Sequence, residues 1–169
     1  MRKFINIILT LTFCIFIFNH YHANDSISFH SSVLLKNHKG LIPLKNLDTL
    51  EIASLNLSSN NLNIFEEACD HYTTVEHFHF NTFSSKRMVR SMIKELKSFN
   101  IIIVNTDTIH EIIANMISTI SNQNKVILNF VGGRKLMYED LINKSCQSIL
   151  FSPNKKSKDL GFSGQIIFG

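Results

Sequence analysis

The chain has 169 residues, of which 44% are hydrophobic and 18% are charged, and its formal net charge is +4. This length predicts one domain, and the composition excludes a disordered chain because enough apolar side chains are present to bury a core. Arg2 and Lys3 carry two of the positive charges, so +4 − 2 = +2 remains for the rest. That bias is too weak to predict nucleic-acid binding.

The first 23 residues have the pattern of a secretory signal peptide. Arg2 and Lys3 precede a mostly apolar run over residues 4–18, which is shorter than the roughly 20 residues that span a bilayer. We therefore expect cleavage after Ala23. The predicted organisation is a signal peptide over residues 1–23, a short linker over 24–30 and one domain over 31–169.

Two alternatives to cleavage stay open. Tyr21 stands where a signal peptidase prefers a small residue, so residues 4–18 could remain as an uncleaved membrane anchor. Cys14 permits lipidation, although the bulky Phe13 before it argues against that signal. In each case the domain is exported, and the predicted location is periplasmic or extracellular.

Segments with strand and helix periodicity alternate along the rest of the chain. The predicted strands are 32–36, 49–55, 74–80, 101–104, 125–131 and 145–151, and the predicted helices are 63–72, 84–99, 108–120, 134–142 and 158–168. The central strands, such as the IIIV run, are uniformly apolar, which indicates burial on both faces. We therefore predict an α/β fold, a three-layer sandwich with a mostly parallel, doubly wound sheet.

Two cysteines, Cys69 and Cys146, remain if the leader is removed. An exported chain could join them in one disulfide, but no spacing motif supports that pairing. We expect buried free thiols, because cysteine packs as a small hydrophobic residue.

The loop after the IIIV strand carries the candidate catalytic groups. Ligands of such sheets bind beyond the carboxyl ends of the strands, so Asp107, His110 and Glu111 could supply acid and base groups. The alternative is structural: Asp107 caps the next helix, and His110 and Glu111 occupy its first turn.

A second candidate is a metal site at His77 and His79, which share one face of a predicted strand close in sequence to His71. No further ligand stands at a telling spacing, so an edge strand with one solvated face is the alternative. Gly132–Gly133 with Arg134 could hold an anion at a helix start, but a tight turn without a ligand is the default interpretation. No cofactor motif is present in the sequence.

Three segments, in order, resemble the C-terminal domain of glycoside hydrolase family 3 (GH3). They are SSVLLKNHKGLIPLKNLDTLEIASL at its start, KVILNFVGG in its middle and FSGQIIFG at its end. The resemblance covers residues 31–169 and is strongest to the β-N-acetylglucosaminidase branch. It implies the same α/β sandwich that the periodicity predicts and a carbohydrate-related role. By homology the chain would be classified as a β-glucosidase or β-N-acetylhexosaminidase.

The resemblance does not imply independent activity. The family's nucleophile is an aspartate of an N-terminal barrel, and a barrel of about 250 residues does not fit before residue 31. Glu111 lies near the place of the acid/base glutamate of the β-glucosidase members but does not match its motif. In the β-N-acetylglucosaminidase branch the acid/base group belongs to the barrel. The expected role is accessory, lining a sugar cleft or docking on a family 3 barrel of another chain.

Other interpretations remain. The chain could be an exported interaction module or a truncated gene product with no sugar role, and the domain could be cut short at its C-terminus. A domain that packs on a barrel should expose an apolar patch near its entry segment, by which we mean residues 31–46. We therefore expect exposure among Leu41, Ile42, Pro43 and Leu44.

Overall fold

The computed structural model describes residues 32–58, 62–80, 86–132, 139–153 and 157–169. Within these ranges the chain forms six strands and five α-helices. The strands are β1 (Val33–Asn37), β2 (Ile52–Asn56), β3 (Glu76–His79), β4 (Ile101–Thr106), β5 (Lys125–Val131) and β6 (Ser148–Ser152). The helices are α1 (Asn63–Asp70), α2 (Lys86–Glu95), α3 (Glu111–Ser121), α4 (Glu139–Ser145) and α5 (Ser157–Phe168). No helix in these ranges is long and apolar enough to cross a membrane.

All six strands form one sheet in the order β1-β6-β5-β4-β2-β3. The pairs from β6 to β3 are parallel, and β1 alone runs antiparallel, against β6. The central strand β4 is buried along its whole length, as the run of β-branched residues predicts. The predicted mostly parallel, doubly wound sheet is confirmed.

Helices cover both faces of the sheet, because alternate side chains of each strand point to opposite sides. Ile102 and Val104 point to the face covered by α2, α3 and α4, and Ile101 and Ile103 point to the face covered by α1 and α5. This arrangement is the predicted three-layer sandwich.

Helices α1 and α5 pack closely, and small side chains make this possible. A Cβ atom placed on Gly164 would lie 3.0 Å from the Cβ atom of Ala68 and 3.6 Å from the carbonyl oxygen of Phe65. A larger residue at position 164 would therefore separate the two helices. A Cβ atom on Gly161 would meet only the Cγ2 atom of Ile64, at 3.4 Å.

The entry segment is held by two adjacent polar residues of β1. The Lys36 Nζ donates to the carbonyl oxygens of Asn143 and Cys146, at the C-terminal end of α4, where backbone carbonyls lack helical partners. Asn37 binds the backbone of Ile42 through both atoms of its amide. The entry segment therefore belongs to the sandwich and is not a free linker.

The expected apolar patch is present only in part. Ile42 and Leu44 are buried in the core, Leu41 is half-buried and Pro43 is exposed. Greater apolar exposure occurs just before, at three consecutive residues of the edge strand β1: Val33, Leu34 and Leu35. A strand at the edge of a sheet has a neighbouring strand on one side only, and this explains the exposure of the three side chains.

Three predicted element starts are wrong by three residues each. The second strand begins at Ile52 and not at residue 49, because Leu47–Thr49 forms a 3₁₀ turn. Helix α3 begins at Glu111 and not at residue 108, as the site geometry below explains. The last strand, predicted from residue 145, begins at Ser148, because Ser145 still belongs to α4. The first five residues of the predicted helix 134–142 lie outside the described residues, and α4 extends to Ser145.

Candidate functional site

The strand order reverses direction between β2 and β4, at the carboxyl edge of the sheet. The chain leaves β2 into α1 on one face and leaves β4 into α3 on the opposite face. The two departing segments diverge, and such a crevice is where open α/β sheets bind ligands. We therefore take the ends of β2 and β4 as the candidate site.

Polar side chains shape both strand ends. The Asn56 Oδ1 accepts a hydrogen bond from the Ser58 N–H at 2.9 Å, which turns the chain after β2. The Thr106 Oγ1 accepts from the Thr108 N–H at 3.3 Å and donates to the Thr108 carbonyl oxygen at 2.6 Å, which turns the chain after β4. The Leu57 N–H donates to the Asn105 carbonyl oxygen at 2.8 Å and joins the two ends.

A row of polar residues crosses the sheet just below these turns. The strand register aligns His79, Asn56, Asn105 and Asn129 across four adjacent parallel strands. The Asn129 Nδ2 donates to the Asn105 Oδ1 at 2.8 Å, and the Asn105 Nδ2 donates to the Ser54 Oγ at 3.0 Å. Asn129, Asn105 and Ser54 therefore form a connected network inside an otherwise apolar layer.

The network is buried, and α5 contacts it. Asn105 and Asn129 have no solvent-exposed surface, and the Ser163 Oγ of α5 lies 3.5 Å from the Asn129 Nδ2. The Asn129 Oδ1 makes no hydrogen bond with any described residue. Buried amides are costly unless they are paired, so this network makes the packing of α5 on the sheet specific.

Sequence reasoning did not identify this row, because the strands were interpreted as uniformly apolar. The available signal was a recurrence: an asparagine stands at or near the carboxyl end of three strands, IASLN, IIIVNT and KVILNFV. In parallel strands such positions meet at one edge of the sheet.

Of the three predicted catalytic groups, Asp107 lies at the crevice. It is half-buried and follows the last residue of β4 directly. His110 and Glu111 are exposed at the start of α3. The prediction that Asp107 caps the next helix is wrong, because the residue before α3 is His110. The His110 backbone is extended, and its side chain makes no capping hydrogen bond. The turn at Thr106 and Thr108 keeps Asp107 three residues away from the helix.

His77 and His79 lie on β3, at the edge of the sheet, and each pairs with a carboxylate of α1. The His77 Nε2 lies 3.0 Å from the Asp70 Oδ1, and the His79 Nε2 lies 3.4 Å from the Glu66 Oε1. The two acidic residues are one helical turn apart, so they match the spacing of the two histidines. No three His, Cys, Asp or Glu side chains of the described ranges are arranged to hold a metal ion.

Gly132 lies at the end of β5 with φ of +68°, a conformation that favours glycine. Its N–H donates to the Ser152 carbonyl oxygen at 2.7 Å, which fixes the turn beside β6. Gly133 and Arg134, the other residues of the predicted anion site, lie outside the described residues.

The two thiols are free and buried, as predicted, and they lie on opposite faces of the sheet. Burial, followed by the charges of Asp70 and Glu66, raises the pKa of Cys69 far above its ordinary value. Burial raises the pKa of Cys146 to about 12, and the nearby Lys36 charge opposes that rise. Both thiols are therefore protonated at neutral pH and cannot act as nucleophiles.

Comparison of the structure with known proteins identifies GH3 enzymes. A fungal multi-domain GH3 β-N-acetylglucosaminidase matches 83% of the chain with a TM-score of 0.66 and 14% identity. A GH3 β-N-acetylglucosaminidase from Paenibacillus sp. str. FPU-7 matches 82% with a TM-score of 0.65 and 8% identity. A GH3 exo-β-xylosidase matches 82% with a TM-score of 0.61 and 18% identity.

This chain spans 16%, 28% and 22% of those three structures, respectively. No protein-family model matches its sequence, and no curated protein matches it either. At these identities the likeness establishes the fold. The predicted resemblance is confirmed at that level, because the six-stranded sandwich is consistent with the C-terminal domain fold of GH3 enzymes.

Proposed function

We propose that this chain is an exported accessory domain of GH3 type, which lines part of a carbohydrate cleft beside a barrel domain and does not hydrolyse glycosides alone. The observation that carries the proposal is the fold likeness to GH3 glycosidases over 82–83% of the chain. The function of those enzymes supplies the substrate class.

The carboxyl edge is the surface that we assign to the sugar. Ser58 and Asp107 are half-buried and Thr108 is exposed, so they bring hydroxyl and carboxylate groups to the crevice. Asn56 and Thr106 are buried beneath them and shape the two turns. Sugars are bound by such groups through paired hydrogen bonds to their hydroxyls. The Asp107 carboxylate can accept hydrogen bonds from two sugar hydroxyls, and its negative charge strengthens them.

We assign no turnover to the chain alone, because of the chemistry that the reaction requires. Retaining glycosidases need two carboxyl groups about 5–5.5 Å apart across the scissile bond. At this crevice Asp107 is half-buried, whereas Glu111 begins the exposed end of α3. We assign the nucleophile to the barrel partner.

Sugar binding is tested by NMR titration of the labelled chain with N-acetylglucosamine and glucose oligosaccharides. We expect shifts confined to the residues around Asn56 and Asp107, and a loss of about tenfold in affinity in Asp107→Asn. Asp48→Asn, a change at an exposed aspartate of the opposite edge, is the matched control. If neither sugar shifts these signals, the chain is an interaction module without a sugar role.

Activity and partnership are tested with nitrophenyl β-N-acetylglucosaminide and nitrophenyl β-glucoside. We expect no turnover by the chain alone, and turnover that depends on the chain when a GH3 barrel domain from the same genome is added. Turnover by the chain alone that Glu111→Gln abolishes would contradict the accessory role.

Export is tested by sequencing the N-terminus of the protein recovered from its native host. We expect the mature chain to begin at Asn24 and to appear in the periplasmic or extracellular fraction. A cytoplasmic protein that keeps residues 1–23 would contradict the proposal, and a membrane-bound one would support the anchor at residues 4–18.

A further inference from the structure

The amino edge of the sheet, at the end of the strands opposite the candidate site, carries three adjoining clefts. Their volumes are about 310, 340 and 570 Å³. Lys125, the first residue of β5, lines all three of them. The first two clefts also share Lys39 and Leu41, and the first and third share Thr49 and Leu50, so the clefts form one groove.

The charge of this groove has one sign. Lys39, Lys45, Lys97 and Lys125 line it and are solvent-exposed, and no Asp or Glu is among its described lining residues. Asp48 and Glu51 lie in the neighbouring segment but outside the three linings. A cleft lined by charges of one sign concentrates the field and attracts ions of the opposite sign.

Exposed amides accompany the lysines. Asn46, Asn122 and Gln123 line the groove and are exposed. Three other amides of the lining are already used. The Asn124 Nδ2 donates to the carbonyl oxygens of Leu96 and Phe99, the Gln147 Oε1 accepts from the Val126 N–H, and the Asn100 Oδ1 accepts from the Glu51 N–H. Lysines and free amides together suit a ligand that carries both negative groups and hydroxyls.

The same lining disfavours nucleic acid. Phe99 is half-buried and packs edge-on against Phe78, with ring centroids 5.8 Å apart, so it offers no open face on which a base could stack. No arginine is among the described lining residues, so the two-pronged contact that guanidinium groups make with phosphates and guanines is missing.

The backbone around the groove is fixed in shape. Lys39 and Asn46 have positive φ angles of 54° and 55°, and both flank the first cleft. Non-glycine residues adopt this conformation only where the surrounding structure holds them in it. Here the two bonds between Asn37 and Ile42 fix the loop between those residues. A preformed groove loses less entropy on binding.

We propose that this amino-edge groove binds an anionic glycan, a sugar chain that carries carboxylate or phosphate groups. Lys97 and Lys125 neutralise the anionic groups in the largest cleft, and Asn122 and Gln123 bind the hydroxyls beside them. The site lies at the opposite end of the strands from the proposed sugar crevice, so it does not depend on that proposed function.

The test measures the affinity of the full chain for polygalacturonate, poly(glycerol phosphate) and uncharged dextran of similar length. We expect binding to one or both anionic polymers and none to dextran. The two polymers distinguish carboxylate from phosphate recognition. A duplex DNA of matched charge is the fourth probe, and we expect it to bind at least tenfold more weakly.

The variants compare two lysine pairs. Lys97→Gln with Lys125→Gln should weaken polymer binding about tenfold and lower the slope of log Kd against log salt by about two. Lys94→Gln with Lys144→Gln removes the same charge from exposed positions outside the groove and should change neither quantity. Equal losses in the two pairs, equal binding of dextran, or tighter binding of DNA would overturn the proposal. Asp107→Asn should leave the affinity for the anionic polymers unchanged, which would show that this site is separate from the sugar crevice.

Discussion

Asn37 binds the backbone of Ile42 from both sides of its amide. Its Nδ2 donates to the Ile42 carbonyl oxygen at 2.7 Å, and its Oδ1 accepts from the Ile42 N–H at 2.9 Å. The same oxygen accepts from the Ser148 Oγ at 3.1 Å. One side chain therefore joins the edge strand β1, the segment that follows it, and the neighbouring strand β6.

Asn37→Ala should lower the free energy of unfolding by about 2–3 kcal/mol, because it removes three hydrogen bonds and leaves backbone groups of a buried residue unpaired. Urea unfolding measures the loss. Asn115→Ala, at an exposed position of α3, is the matched control and should change stability by no more than about 0.5 kcal/mol. Similar values for the two variants would show that the Asn37 amide does not hold the entry segment.

The buried row predicts coupling between Asn105 and Asn129. Asn129→Ala and Asn105→Ala should each cost about 2–3 kcal/mol, since each removes a donor or an acceptor from a buried network. The double variant should cost about 1–2 kcal/mol less than the sum of the single changes. Urea unfolding of all four proteins gives this coupling energy. Strict additivity would mean that the bond of 2.8 Å between them is not stabilising.

The contact between α1 and α5 predicts opposite effects at two glycines of one helix. Gly164→Ala should destabilise by about 1–3 kcal/mol, because the new methyl group would meet the Ala68 Cβ at 3.0 Å. Gly161→Ala should be neutral or stabilise by up to about 1 kcal/mol, because the exposed Ile64 side chain can move and alanine favours the helix. Thermal unfolding checks both changes. A stabilising Gly164→Ala would show that the helices can move apart freely.

The buried thiols predict a loss of stability in alkali. Both thiols stay protonated in the folded chain, because burial raises the pKa of Cys146 to about 12 and raises that of Cys69 as well. In the unfolded chain they ionise near pH 9, so the unfolded state binds fewer protons above that pH and stability falls as pH rises. The slope is about 1.4 kcal/mol per pH unit for each thiol.

Guanidinium unfolding between pH 8 and 11 measures this loss. Cys146→Ala should remove about half of the part of the slope that comes from the thiols, and the double variant with Cys69→Ala should remove all of it. An unchanged slope in the double variant would assign the alkaline loss to other groups. Slow reaction of the native thiols with a disulfide reagent at pH 8 is a second check of their burial.

Much of the fold could be predicted from periodicity, because the strongest signals were long and repeated. The IIIV run identified β4, and the apolar stripe around Met92 and Leu96 identified α2, because burial on a sheet demands those patterns. The start of α3 could not be predicted. It depends on the hydrogen bonds between Thr106 and Thr108, which compete locally with helix formation.

The candidate site was predictable only in part. The rule that ligands bind beyond strand ends directed attention to Asp107. The alignment of Asn56, Asn105 and Asn129 in one row depends on strand order and register, which are properties of the assembled sheet. The basic groove joins residues that are as far apart in sequence as Lys39 and Lys125, so a local motif could not reveal it.

The direction of β1 determines where any upstream segment meets the domain. Since β1 runs against β6, its first residues lie at the carboxyl end of the sheet, and the Ser32 Oγ is 2.9 Å from the Ser152 Oγ there. A polypeptide joined before Ser32 therefore reaches the domain on the side of the Asp107 crevice and away from the lysine groove. A domain fused just before Ser32 would lie at the edge of the sheet that carries the first site and would leave the second one open, so it could obstruct one surface without a mutation in either.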